Sequence, residues 1–161
     1  MDDLDSIYND FIMEHSMNSY NKKELNDANY SEHGHNPSCG DDITLQVKVN
    51  NGIIEDMAFT GHGCAISQAS TSVMIDTLKG KTIDEAKVII SKFLGMIDRE
   101  ITDDNELEIL EDAIAFKNIS NMPARVKCAI LAWRTLEKII NEKLDNGIVE
   151  ENIKNNHCDC E

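Results

Sequence analysis

Aromatic side chains are scarce in this 161-residue chain: Phe, Tyr and Trp together make 5%, with a single Trp. A core must therefore be built mainly from Ile, Leu, Val, Met and Ala. Basic residues are also short, 15 Lys and Arg against 30 Asp and Glu, for a net charge of -15. Proteins that hold nucleic acid need a basic face to neutralise phosphates; none is visible, so no nucleic-acid partner is expected. Anionic membrane surfaces repel an acidic chain, and no apolar run approaches the roughly 20 residues of a bilayer span. The opening residues Met1-Asp2-Asp3-Leu4-Asp5 are acidic where a secretory signal would be basic and then apolar. The expectation is a cytoplasmic protein. Its five cysteines would then meet a reducing environment, which points to metal binding or catalysis rather than disulfides.

What is present is ordinary for one globular domain: 41% apolar and 28% charged residues. The length suffices for a core without disulfides. The spacing of Leu4, Ile7, Tyr8, Phe11 and Ile12 predicts an amphipathic helix over residues 3–15. A polar connection follows over residues 16–36, with one short edge strand near Tyr30 to His33. Ile43, Leu45, Val47 and Val49 alternate with polar residues, Asn50-Asn51-Gly52 supplies a turn, and a return strand runs over 53–60. Residues 65–78 read as a helix that Gly80 ends. Thr82 and Glu85 form a capping-box pattern at the start of another. After an acidic break, Leu107, Leu110 and Ile114 suggest a short helix, and Pro123 opens a last long one. The class is α+β, a small antiparallel sheet of about three strands packed against several helices. The domain is expected over residues 1–145. Residues 146–161 read as a polar, disordered tail ending His157-Cys158-Asp159-Cys160-Glu161, whose thiols leave relay or metal capture as a second option.

Three cysteines fall at element boundaries. Cys39 lies in the turn Asn36-Pro37-Ser38-Cys39-Gly40-Asp41, Cys64 between a strand and a helix, and Cys128 early in the last helix. A helix N-terminus presents free N–H groups that stabilise a thiolate at Cys64. Cys39-Gly40-Asp41 sets a soft and a hard ligand two residues apart, with a glycine that lets both face one ion. Cys64 and Cys128 would complete a tetrahedral set of three sulfurs and one oxygen, which suits zinc. The oxygen ligand makes such a site more labile than a closed four-cysteine site. Three thiolates, a carboxylate and Zn²⁺ carry a formal charge of about −2, which Arg125 and Lys127 would offset. On spacing alone the alternative stays open: three unrelated thiols and two cations on a solvated helix face.

At these residues the chain resembles the U-type iron–sulfur assembly family, which includes IscU and SufU. The matching stretches are Asn36-Pro37-Ser38-Cys39-Gly40-Asp41, Gly61-His62-Gly63-Cys64-Ala65-Ile66-Ser67 and Ala124-Arg125-Val126-Lys127-Cys128-Ala129-Ile130-Leu131-Ala132-Trp133. The resemblance covers residues 3–142. It is closer to the SufU branch, because scaffold-type members place histidine where this chain has Lys127 and lack a segment corresponding to residues 98–118. It implies an IscU/SufU-like fold and zinc held by Cys39, Asp41, Cys64 and Cys128. It also implies a sulfurtransferase that accepts sulfane sulfur from a SufS-type cysteine desulfurase and passes it to downstream cluster-assembly proteins. Cys39 would be the acceptor that becomes a persulfide, freed when a partner group such as histidine replaces it on the metal. Arg125 is the second candidate catalytic residue. Two other readings stand beside this one: a scaffold on which an iron–sulfur cluster is assembled, and a structural zinc domain without sulfur chemistry.

Overall fold

The alternating strand pattern folds as its period demands. Ile43, Leu45 and Val47 are fully buried on one face of a strand, with the intervening polar residues half-exposed on the other. The computed structural model describes residues 2–17 and 20–145. In chain order the elements are α1 (Asp2–Met17), β1 (Tyr30–Asn36), β2 (Asp41–Asn50), β3 (Ile53–His62), α2 (Ala65–Leu78), α3 (Ile83–Ile97), α4 (Asp104–Leu107) and α5 (Pro123–Ile139). A run of three-residue turns, Glu108–Asn121, lies between α4 and α5, and a wide helical turn, Ile140–Asp145, follows α5. The side chains of Leu4, Ile7 and Tyr8 lie outside the described residues. So does everything from Asn146 onward, the expected tail with His157, Cys158 and Cys160 included.

The sheet is antiparallel in the order β1-β2-β3. The β2–β3 turn places Asn51 (φ 56°) and Gly52 (φ 76°) in the left-handed region, as a tight two-residue hairpin requires. β1 is longer than the sequence suggests and pairs from Tyr30↔Val47 through Asn36↔Asp41. Gly34 and two histidines weaken its local strand signal, and pairing overrides propensity. Gly34 has its own reason: a Cβ there would stand 3.3 Å from Leu131 Cδ1 and collide with Thr135 Oγ1, so glycine lets α5 lie against β1. The connection before β1 is also less loose than expected. Asn21 and Lys23 pair with the edge of β3 at Phe59, and the buried Asn21 amide donates to the Ser72 carbonyl and to Asp76 on α2.

The inner face of the sheet packs on α2 and α5. Helix α2 is buried on nearly all sides, and its small residues allow that. Ser70 Oγ donates to the Ala129 carbonyl (2.6 Å) and accepts from Trp133 Nε1 (3.0 Å), which ties α2 to α5. Trp133 stacks on Phe93 of α3, with centroids 3.9 Å apart and planes at 6°. Both hydrogen bonds of the expected capping box form: Glu85 N–H to Thr82 Oγ1 at 3.1 Å, and Thr82 N–H to Glu85 Oε1 at 2.9 Å. The segment after the acidic break departs from the expected short helix. Leu107, Leu110, Ala113, Phe116 and Ile119 are buried and Ile114 only half-buried. That spacing of three is the period of the tighter 3₁₀ turn. The run is broken once, at Glu111 (φ 53°, ψ −126°).

Candidate metal centre

Each ligand candidate owes its place to an element end. The β1–β2 turn is closed by Cys39 N–H to the Asn36 carbonyl (3.3 Å), and Gly40 takes φ 71° to complete it. This lifts Cys39 to the surface while Asp41, the first residue of β2, turns inward and is fully buried. Cys64 caps α2, its Sγ accepting from the Ser67 N–H at 3.5 Å. Cys128 follows Pro123, which opens α5, and is buried.

The fold brings one ligand atom each from Cys39, Asp41 and Cys128 within 4.8 Å of one another. Cys64 stands outside that group but is coupled to it. Its backbone N–H donates to Asp41 Oδ1 (2.9 Å), and its thiol bears on Cys128. Asp41 Oδ2 accepts from Asn36 Nδ2 at 3.3 Å, and the same amide points at Cys128 Sγ, 3.9 Å away. Cys39 Sγ lies 3.9 Å from the Ala124 carbonyl. All three described cysteines are free.

The donor set is crowded and acidic. Burial pushes the Cys128 thiol well above its ordinary range, and contacts with Cys39 and Cys64 and the charge of Asp41 push it further. A buried carboxylate among crowded thiols is the donor set of a cation site, and a bound divalent ion would reverse the penalty on Cys128. The Ser67 hydroxyl, buried beside this group, has no hydrogen-bond partner among the described residues. Gly63 explains how the donors come so close: a Cβ there would stand 2.7 Å from Asp41 Oδ1 and 3.1 Å from Ser67 Oγ. The cysteines and carboxylate present therefore fit zinc in chemistry and in charge.

Arg125 faces the thiols. Its guanidinium is held above its ordinary range first by a hydrogen bond with Cys128, then by the charges of Cys64, Cys128 and Cys39. Lys127 is exposed on the same helix. Beside Cys64 and Arg125 opens a cleft of about 250 Å³, walled by Ile12, Met13, Ala65, Ile66 and Met122. Sequence reasoning assigned no role to Asn36, Ser67 or the α1 wall of this cleft. Asn36 and Ser67 lie in the matching stretches, but an amide and a hydroxyl carry no ligand signal until the fold aims them.

Comparison with known proteins places the chain in a family and a fold. The family described as NifU-like N terminal domain matches residues 7–129. The zinc-dependent sulfurtransferase SufU of Bacillus subtilis is 42% identical over 135 residues, covering 84% of this chain and 90% of that protein. The iron–sulfur cluster assembly scaffold protein IscU of Thermotoga maritima is 38% identical over 136 residues, covering 84% and 94%. The crystal structure of FiSufU from Fervidobacterium islandicum AW-1, described as an iron–sulfur cluster assembly scaffold protein for the SUF system, superposes with a TM-score of 0.76 at 42% identity, covering 82% of this chain and 95% of that one. By sequence and by fold, the chain belongs to the NifU-like N-terminal domain family of iron–sulfur cluster assembly proteins.

Proposed function

We propose that this protein is a zinc-dependent sulfurtransferase that accepts sulfane sulfur from a SufS-type cysteine desulfurase and passes it to downstream cluster-assembly proteins. Cys39, Asp41, Cys64 and Cys128 would hold the metal. When bound, zinc supplies charge that keeps the thiols deprotonated near neutral pH and brings no redox chemistry of its own. The observation that carries the reading is an asymmetry within the group of donors. Asp41 and Cys128 are buried, whereas Cys39 and Cys64 are both half-buried; of these two, Cys64 caps α2 and Cys39 lies on the β1–β2 turn, where it can meet a partner.

The transfer balances as follows. The Cys39 thiolate attacks the outer sulfur of the donor's cysteine persulfide. A new sulfur–sulfur bond forms at Cys39, the donor's sulfur–sulfur bond breaks, and the donor cysteine leaves as a thiolate that takes up a proton. No net oxidant or reductant is required. Arg125 places a guanidinium beside the thiols and screens the negative charge that approaches them. Asp41 is fixed by the Cys64 N–H and the Asn36 amide, so it stays in place while Cys39 moves. The chemistry suits a reducing compartment, the cytoplasm.

The test is a desulfurase assay with and without this protein, paired with metal analysis. Stimulation of sulfide release with about one zinc per chain is expected, from colourless protein. Cys39→Ala should abolish stimulation, and stimulation equal to wild type removes Cys39 as acceptor. Relatives named as scaffolds keep a second reading in view, in which a cluster is assembled on the same cysteines. Brown protein retaining iron and sulfide after anaerobic isolation would favour that reading.

A further inference from the structure

The outward face of the sheet carries three of the chain's five histidines at the end nearest the metal centre. His35, Asp42 and His62 are register partners across β1, β2 and β3. Adjacent strands run about 4.8 Å apart, so the three Cα atoms form one row about 10 Å long and their side chains leave the same face. Asp41 leaves the other face and is buried, whereas Asp42 is half-exposed. His33, one step diagonal to this row, sets its Nε2 2.6 Å from Asp42 Oδ1. Its ring stacks near His35, with centroids 6.2 Å apart at 24°. The three imidazoles are exposed, so packing does not require them.

We propose that His35, Asp42 and His62 form a second site for a divalent transition-metal ion of the zinc type, with His33 orienting the Asp42 carboxylate. Two imidazoles and one carboxylate are a nitrogen–oxygen set suited to zinc and its neighbours, and three protein ligands leave positions for water. Ligating carboxylates are themselves hydrogen-bonded by outer groups, the place His33 takes beside Asp42. As placed, the ligand atoms of His35, Asp42 and His62 do not converge as those of Cys39, Asp41 and Cys128 do; His35 and His62 would reach an ion by turning exposed side chains between staggered rotamers. The ligands are solvent-facing, so the ion exchanges readily. It would sit on the opposite side of β2 from the thiol centre, tied to it through the consecutive residues Asp41 and Asp42. The site does not depend on the sulfur-transfer reading.

The test is calorimetric titration of Zn²⁺ into the full chain already carrying its first zinc, with the histidine ring signals followed by NMR. A second equivalent should bind, with ring signals of His35 and His62 shifting as it does. The double variant His35→Gln with His62→Gln should lose that equivalent and keep the first. His33→Gln should weaken it by about 10-fold, the scale of losing an outer-shell partner. Both substituted positions are exposed, and an unchanged circular dichroism spectrum checks the fold. The proposal is overturned if wild type takes no second equivalent. It is equally overturned if the double variant binds the second as wild type does, or loses the first along with it.

Discussion

Gly63 is the tightest point of the thiol centre at the scale of single residues. A methyl group at this position would press on Asp41 Oδ1 and Ser67 Oγ, neither of which can retreat through the packed end of α2. Gly63→Ala should keep the fold and lose stoichiometric zinc, read by metal analysis beside circular dichroism. Asp41→Ala should likewise alter zinc affinity and activity; unchanged values would remove Asp41 from the ligand set. Ser67 makes the contrasting case. Its hydroxyl is buried without a partner among the described residues, so its removal costs little. Ser67→Ala in metal-free protein should hold stability within about 1 kcal/mol of wild type, measured by urea unfolding. Cys39 and Cys64 stood out in the sequence because thiols flanked by glycine at turns are uncommon in ordinary cores; spacing made Asp41 and Cys128 plausible partners, and the family resemblance joined the four. Asn36 and Ser67 did not, because an amide or hydroxyl gains meaning only from what the fold sets beside it.

Helices and strands were legible in the sequence where one period dominates. The alternation of β2 and the capping box of α3 both have local causes, and both formed as their residues dictate. Removing the Thr82 cap with Thr82→Ala should cost about 1 kcal/mol in denaturant unfolding. β1 and the Glu108–Asn121 run were less legible. β1 is held by its pairing with β2 and by the close approach of α5 at Gly34, neither visible in a seven-residue window. The run's period of three was hidden beneath a helical expectation. β1 also carries a pH-dependent tie to the C-terminal part of α5 and the turn that follows it: Glu32 pairs with Lys138 at 3.1 Å and Lys143 at 3.3 Å. The hydrogen bond from Lys138, and then that from Lys143, hold the Glu32 carboxyl below its ordinary 4.5. A depressed folded value means the stabilisation is complete above about pH 4.5 and fades as acid titrates the folded carboxyl. Both lysines are largely exposed, so the difference between wild type and Glu32→Gln should be about 0.5 kcal/mol at neutral pH. It should vanish in acid, as thermal melts across pH 3–7 would record.

Across the whole molecule, the thiol centre joins parts far apart in the chain: the β1–β2 turn, the start of α2 and the start of α5. An ion bound there stabilises the native state alone, by mass action. Chelation should therefore lower the melting temperature by several degrees, since each kcal/mol is worth about 2–8 °C in domains of this size. An unchanged melting temperature would mean that the three parts are already locked without metal. The acidic surface, net -15, predicts that association with a basic partner slows as salt rises. The contact of Trp133 with Phe93 and Ser70 has a practical consequence. This is the chain's one indole, held flat against a ring of α3 and hydrogen-bonded to α2. It lies five residues along α5 from Cys128, about 7.5 Å of helix rise. Its fluorescence is thus a built-in gauge of how α2 and α5 sit against each other, and it can follow metal loading and partner capture in real time without an added label.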